Sequence, residues 1–128
     1  MAGNRERRFG AGRGRGRPRR SRVTVGEVRL DARELGEGLG ERATLVQFSS
    51  AFCAPCRATR RVLAEVAAMV PGVSHIEIDA EAELELVRRI GIVKTPTVLV
   101  LDAGGREVRR ATGQPRKADV IAALGAAV

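Results

Sequence analysis

ATLVQFSSAFCAPCRATRR, residues 43–61, decides how the rest of the chain is read. Its first part, 43–49, is β-rich and largely apolar, as a strand buried on both faces should be. Its second part opens a long helix, expected from about Ala54 to Val70, in which Val62, Leu63, Val66, Met69 and Val70 make one apolar stripe. The only two cysteines, Cys53 and Cys56, stand at the junction with Ala54 and Pro55 between them. A thiol there meets backbone N–H groups that have no partners and the positive end of the helix dipole. Both favour the thiolate, which is the nucleophile in disulfide exchange. Cys56 follows one helical turn on, close enough to attack a mixed disulfide at Cys53. Pro55 has no N–H to lose in a first turn and stiffens the ring the two cysteines close.

Outward from this junction the pattern alternates. VTVGEVRL (23–30) reads as a strand, and Asp31 with Glu34 forms a capping-box signature for a short helix that Gly36, Gly38 and Gly40 stop. After Pro71-Gly72 come a strand at 73–79 and a helix at 82–90. A strand at 95–102, a turn at 103–105 and a hairpin partner at 106–113 follow. Pro115 is expected at the first position of the last helix. Strand–helix–strand alternation implies parallel pairs with right-handed crossovers, and the closing hairpin makes the sheet mixed. The expected class is α/β, a mixed central sheet with helices on both faces.

Charge divides the chain. Residues 1–22 carry nine Arg and one Glu, whereas residues 23–128 hold 14 basic and 14 acidic side chains. The first segment is therefore expected to be a disordered Arg/Gly-rich tail and 23–128 the folded domain. The balanced body gives no case for a nucleic-acid surface. The tail would bind polyanions weakly and with strong salt dependence. Within it, Arg15-Gly16-Arg17-Pro18 resembles the core of an AT-hook, against the plainer reading of a solvated extension. No apolar run approaches the roughly 18 residues of a membrane span. Arg7-Arg8-Phe9 is followed by Gly and Arg rather than an apolar stretch, so no export signal is read and a cytoplasmic protein is expected. In that reducing compartment a close cysteine pair is catalytic or metal-binding more often than structural. Zinc takes four ligands, and the chain has two thiols and one imidazole, His75. The pair is read as a redox motif with no metal.

LVQFSSAFCAPC, then HIEID, then GIVKTPTVLVLDAGGREVRRATG, with Gly113 closing the hairpin, resembles the thioredoxin family over residues 23–128. The resemblance implies a thioredoxin fold and thiol–disulfide exchange, with Cys53 attacking and Cys56 resolving. It implies no cofactor beyond the Cys53–Cys56 disulfide, and a cis Thr95–Pro96 bond beside the sulfurs. The Thr95 backbone would then pair with an extended client strand. It implies disulfide-containing client proteins, an electron-donating reductase and a monomer.

Four positions depart from the family pattern. Phe52 and Ala54 stand where Trp and Gly are typical, which should tune substrate fit. Gln47 stands where a buried Asp is typical, and Gln cannot serve as a base. His75 stands where a Lys is common. Either Gln47 and His75 hydrogen-bond each other in the interior, or His75 replaces the missing base, its ordinary pKa lying near neutrality. The competing function is a redox-inert or weakly active binding module, tethered to nucleic acid by the tail.

Overall fold

The computed structural model describes residues 28–128. The expected tail and the first five residues of the strand at 23–30 lie outside them. Among the described residues, 28–30 form no strand: Arg29 makes one isolated bridge to Arg106. Leu30 N–H donates to the Gly105 carbonyl at 2.9 Å, and Glu107 N–H to the Val28 carbonyl at 2.9 Å. The segment thus closes over the turn of the last hairpin.

Helix α1, Ala32–Leu35, is a single turn held by its cap. Asp31 Oδ1 accepts from Glu34 N at 2.9 Å, and Glu34 Oε1 accepts from Asp31 N at 3.1 Å. Gly36, at φ 79°, ends it in the left-handed conformation that a Cβ would disfavour. Then come β1 (Ala43–Ser49), α2 (Ala54–Met69), β2 (Val73–Asp79), α3 (Leu84–Ile90), β3 (Thr97–Asp102), β4 (Glu107–Thr112) and α4 (Lys117–Ala127). Pro115 does not begin α4. The cap is Arg116, in extended conformation, so the proline sits just outside the helix it leads into.

The sheet runs β2-β1-β3-β4. β1 is central and buried at every position, which is why its sequence reads as a nearly unbroken apolar run. β1 and β2 are parallel across the α2 crossover. The β2-α3-β3 unit does not make the second parallel pair that the alternation implied, because β3 runs antiparallel to β1. A seven-residue helix rises only about 10 Å, against roughly 23 Å for a seven-residue strand. The chain therefore enters β3 at the end where β1 and β2 finish.

Strand alternation feeds two cores. Val46, Phe48, Ile76, Ile78, Leu99 and Leu101 pack with Leu35, Leu86 and Ile90 of α1 and α3. Ala43, Leu45, Val73, Val98 and Val100 pack with Leu63 and Val66 of α2 and Val120 and Leu124 of α4. Each large aliphatic so buried contributes about 1.5–3 kcal/mol relative to exposure. Among the described residues no helix is long and apolar enough to cross a membrane.

Candidate functional site

The chain leaves β1 through a turn at 50–52 in which Ala51 and Phe52 are exposed. Phe52 has φ 56°, a left-handed conformation uncommon for a bulky residue, and its side chain is fully exposed. Cys53 is the N-cap of α2, and its sulfur accepts the Cys56 N–H at 3.2 Å. Its carbonyl accepts from Cys56 N at 3.1 Å and Arg57 N at 3.2 Å, opening the helix. Ala54 and Pro55 occupy the first two helical positions and face solvent. Pro55 costs no bond there. Cys53 and Cys56 are joined by a disulfide with Cα atoms 5.2 Å apart. Their environments differ: Cys53 is half-buried, and Cys56 is 1% exposed.

That difference comes from helix periodicity. The buried positions of α2 are Cys56, Thr59, Leu63 and Val66. Cys56 belongs to the stripe that faces the sheet, and Cys53, one turn earlier, stands at its open end. Met69, expected on that stripe, is 52% exposed, because the stripe passes through Val66 towards Val70.

Beneath Cys56 lies a polar layer. Gln47 is fully buried, and its Nε2 donates to the Cys56 carbonyl at 2.8 Å and to Ser49 Oγ at 2.9 Å. With both amide protons used, Oε1 is left as an acceptor, 3.2 Å from His75 Nε2. That arrangement makes Nε2 the protonated nitrogen of His75. The interior hydrogen bond between Gln47 and His75 expected from the sequence is present. Burial pushes the His75 imidazole below its ordinary value; Glu77 opposes this and Arg60 adds to it. Glu77 is gripped by Arg60 through two hydrogen bonds of 2.7 Å each. That pairing holds its carboxyl below the usual range against the effect of burial.

A second loop, before β3, reaches the turn that precedes Cys53. The Thr95–Pro96 bond is cis. Thr95 Oγ1 lies 2.7 Å from Ser50 Oγ, tying this loop to the turn before Cys53. The Pro96 carbonyl accepts from Gly113 N at 2.8 Å, and Thr97 Oγ1 donates to the Lys94 carbonyl at 2.6 Å. Val93, on the same loop, is 86% exposed. Of the residues singled out by sequence, Phe52, Ala54 and Pro55 surround Cys53 on the open side. Gln47 and His75 lie below Cys56, and Thr95 and Pro96 lie across from the turn. Sequence reasoning missed Ser49, Glu77 and Val93 as parts of this region. The available signal was alternation: 47 and 49 on β1, and 75 and 77 on β2, share the α2 face.

The comparisons agree with this geometry. A family model, Thioredoxin, matches residues 31–126. Thioredoxin from Alicyclobacillus acidocaldarius is 35% identical over 86 residues, 66% of this chain and 81% of its own length. Thioredoxin from Chlamydia muridarum is 29% identical over 85 residues, 66% and 82% of the respective chains. Among solved structures, the reduced Schistosoma mansoni thioredoxin pre-protein aligns with a TM-score of 0.60 at 19% identity, covering 70% of this chain and 82% of that one. Spinach chloroplast thioredoxin f aligns with a TM-score of 0.60 at 22% identity, covering 69% and 78%. Those two likenesses speak for the fold. The family model and the Alicyclobacillus relative carry the assignment itself: this chain belongs to the thioredoxin family and is a thiol–disulfide oxidoreductase of that family.

Proposed function

We propose that the chain reduces disulfides in client proteins, with Cys53 as the attacking thiol and Cys56 as the resolving one. The observation that carries this reading is the unequal exposure of two bonded cysteines at one helix N-terminus. In the reduced protein a Cys53 thiolate accepts the Cys56 N–H and is stabilised by the free amides of the first turn. It attacks one sulfur of the client disulfide. The Cys53–client bond forms, the client S–S bond breaks, and the departing client thiolate takes a proton from solvent. Cys56 then loses its proton and attacks Cys53 Sγ. The Cys53–Cys56 disulfide forms and the second client thiolate leaves. The client has gained two electrons and the protein has lost two, which an external dithiol reductase must restore.

Phe52 next to Cys53 and Val93 on the loop before Pro96 offer exposed apolar surface, suited to the side chains next to a client cysteine. Thr95 would supply backbone pairing to an extended client segment. Gln47 and His75 are neutral partners in this reading, so the proton leaving Cys56 goes to solvent rather than to a buried carboxylate. Both cysteines come from one chain, which is sufficient as a monomer. The tail takes no part in exchange.

Reduction of insulin by the protein, driven by an external dithiol, tests the activity. Equilibration against glutathione tests the direction. A reduction potential near −270 mV fits a reductase, and one near −120 mV would make the protein an oxidant and overturn the proposal.

A further inference from the structure

The antiparallel ladder between β1 and β3 ends where Phe48 stands opposite Thr97. Continuing the same register would place Ser49 opposite Pro96 and Ser50 opposite Thr95. Proline has no N–H, so the backbone pairing cannot run on through residue 96. Side chains take over at the next position: Ser50 Oγ and Thr95 Oγ1 lie 2.7 Å apart and are part-buried. Among the described residues this is the only hydrogen bond between 50–53 and 91–96. The other bonds of each segment lead elsewhere. The Lys94 carbonyl accepts from Thr97 Oγ1 at 2.6 Å, and the Pro96 carbonyl from Gly113 N at 2.8 Å. Ala51 N donates to Glu81 Oε1 at 3.4 Å. Each segment also carries an exposed apolar side chain. Phe52 comes two residues after Ser50, and Val93 two residues before Thr95.

We propose that the Ser50–Thr95 hydroxyl pair is a clasp for client recognition: it replaces the strand pairing that Pro96 interrupts and sets the spacing between the Phe52 turn and the Val93–Thr95 segment. Ser50 is thereby a positioning residue, since it acts through Thr95. The inference rests on the reading of Phe52, Val93 and the Thr95 backbone as client contacts. A polypeptide that touches both segments needs them at one separation. With the bond intact that separation is set before the client arrives, and little ordering remains to oppose binding. The nucleophile does not depend on the clasp. Cys53 is held as the N-cap of α2 by the Cys56 and Arg57 N–H groups. Loss of the bond therefore loosens the client surface and leaves the thiol in place. A neutral hydrogen bond of ordinary net strength corresponds to about two- to tenfold in an equilibrium constant.

The test measures KM and kcat for insulin reduction by the full chain under a saturating external dithiol. Ser50→Ala should raise KM about two- to tenfold and hold kcat within about twofold of the parent. Thr95→Val keeps the β-branched shape and should raise KM by a similar factor. The double variant should be no worse than the worse single variant, because both remove one bond. Ser50→Thr retains a hydroxyl and should hold KM within about twofold of the parent. With 5,5′-dithiobis(2-nitrobenzoate), a disulfide that carries no polypeptide, Ser50→Ala should slow reduction less than it slows insulin reduction at low client concentration. An unchanged KM, a fall in kcat without a rise in KM, additive effects in the double variant, or equal slowing of the two substrates would overturn the proposal. Should Thr95→Val fail to fold, Ser50→Ala set against Ser50→Thr carries the same test. A parent protein that leaves insulin oxidised would sink the functional reading and the inference with it. A parent that reduces insulin with a KM indifferent to Ser50→Ala would overturn the inference alone.

Discussion

Cys53 and Cys56 are three positions apart, yet one is half-buried at the start of α2 and the other is on its buried stripe. Cys56→Ser should therefore trap a client on Cys53 as a stable mixed disulfide, visible by mass spectrometry, whereas Cys53→Ser should trap none. Phe52 is fully exposed and sits in the left-handed region. Phe52→Ala should change stability by no more than about 0.5 kcal/mol in thermal unfolding. It should slow reduction of a protein client severalfold while sparing a small aromatic disulfide. His75 makes a prediction in pH. Its folded pKa lies below the ordinary 6.5, so the folded state prefers the neutral ring. The stability this provides is full above pH 6.5 and is lost as pH falls through the depressed folded value. Unfolding midpoints measured from pH 8 to pH 5 should fall on the acid side, and His75→Ala should flatten that part of the curve. Gln47 and His75 were legible as an unusual pair, but the direction of the amide was not, because it is set by Ser49 Oγ and the Cys56 carbonyl, which only the fold brings together.

Among the elements, β1, β2 and the length of α2 could be read directly, since burial of β1 on both faces and a helical stripe leave strong periodic signals. Short α1 was legible from its cap alone, Asp31 and Glu34, rather than from any apolar repeat. The direction of β3 was not legible: it follows from α3 being too short to carry the chain back along the sheet. Nor was the buried pair on β4. Glu107 is fully buried, and Arg110 holds its carboxylate at 2.6 and 2.8 Å while reaching the Gly91 carbonyl at 3.4 Å. In sequence both look like exposed hairpin charges. Removing one partner strands the other, so Arg110→Ala should cost about 3–5 kcal/mol in denaturant unfolding. Gly105 is a second fixed point. It has φ 87°, and a Cβ there would fall on the Leu30 carbonyl oxygen. Gly105→Ala should therefore destabilise the protein by more than the roughly 1 kcal/mol that a loop glycine substitution ordinarily moves.

At the scale of the whole molecule, the sheet separates two aliphatic cores, and the polar layer under Cys56 interrupts the α2 side at one end only. Charge shows the same separation along the chain, since the excess of arginine is confined to residues 1–22. Deleting residues 1–22 should leave the rate on a small disulfide unchanged, while abolishing any salt-sensitive retention on a polyanion column. A sharp fall in rate would show that tail and site are coupled. What unites these scales is a sulfur held where a helix begins. The pH dependence of Cys53 alkylation by iodoacetamide, measured in reduced Cys56→Ser protein, tests this most directly. The account predicts a midpoint near pH 7 or lower, about 1.5 units or more below a free thiol. A midpoint at about 8.5, the value of an unperturbed cysteine, would contradict it.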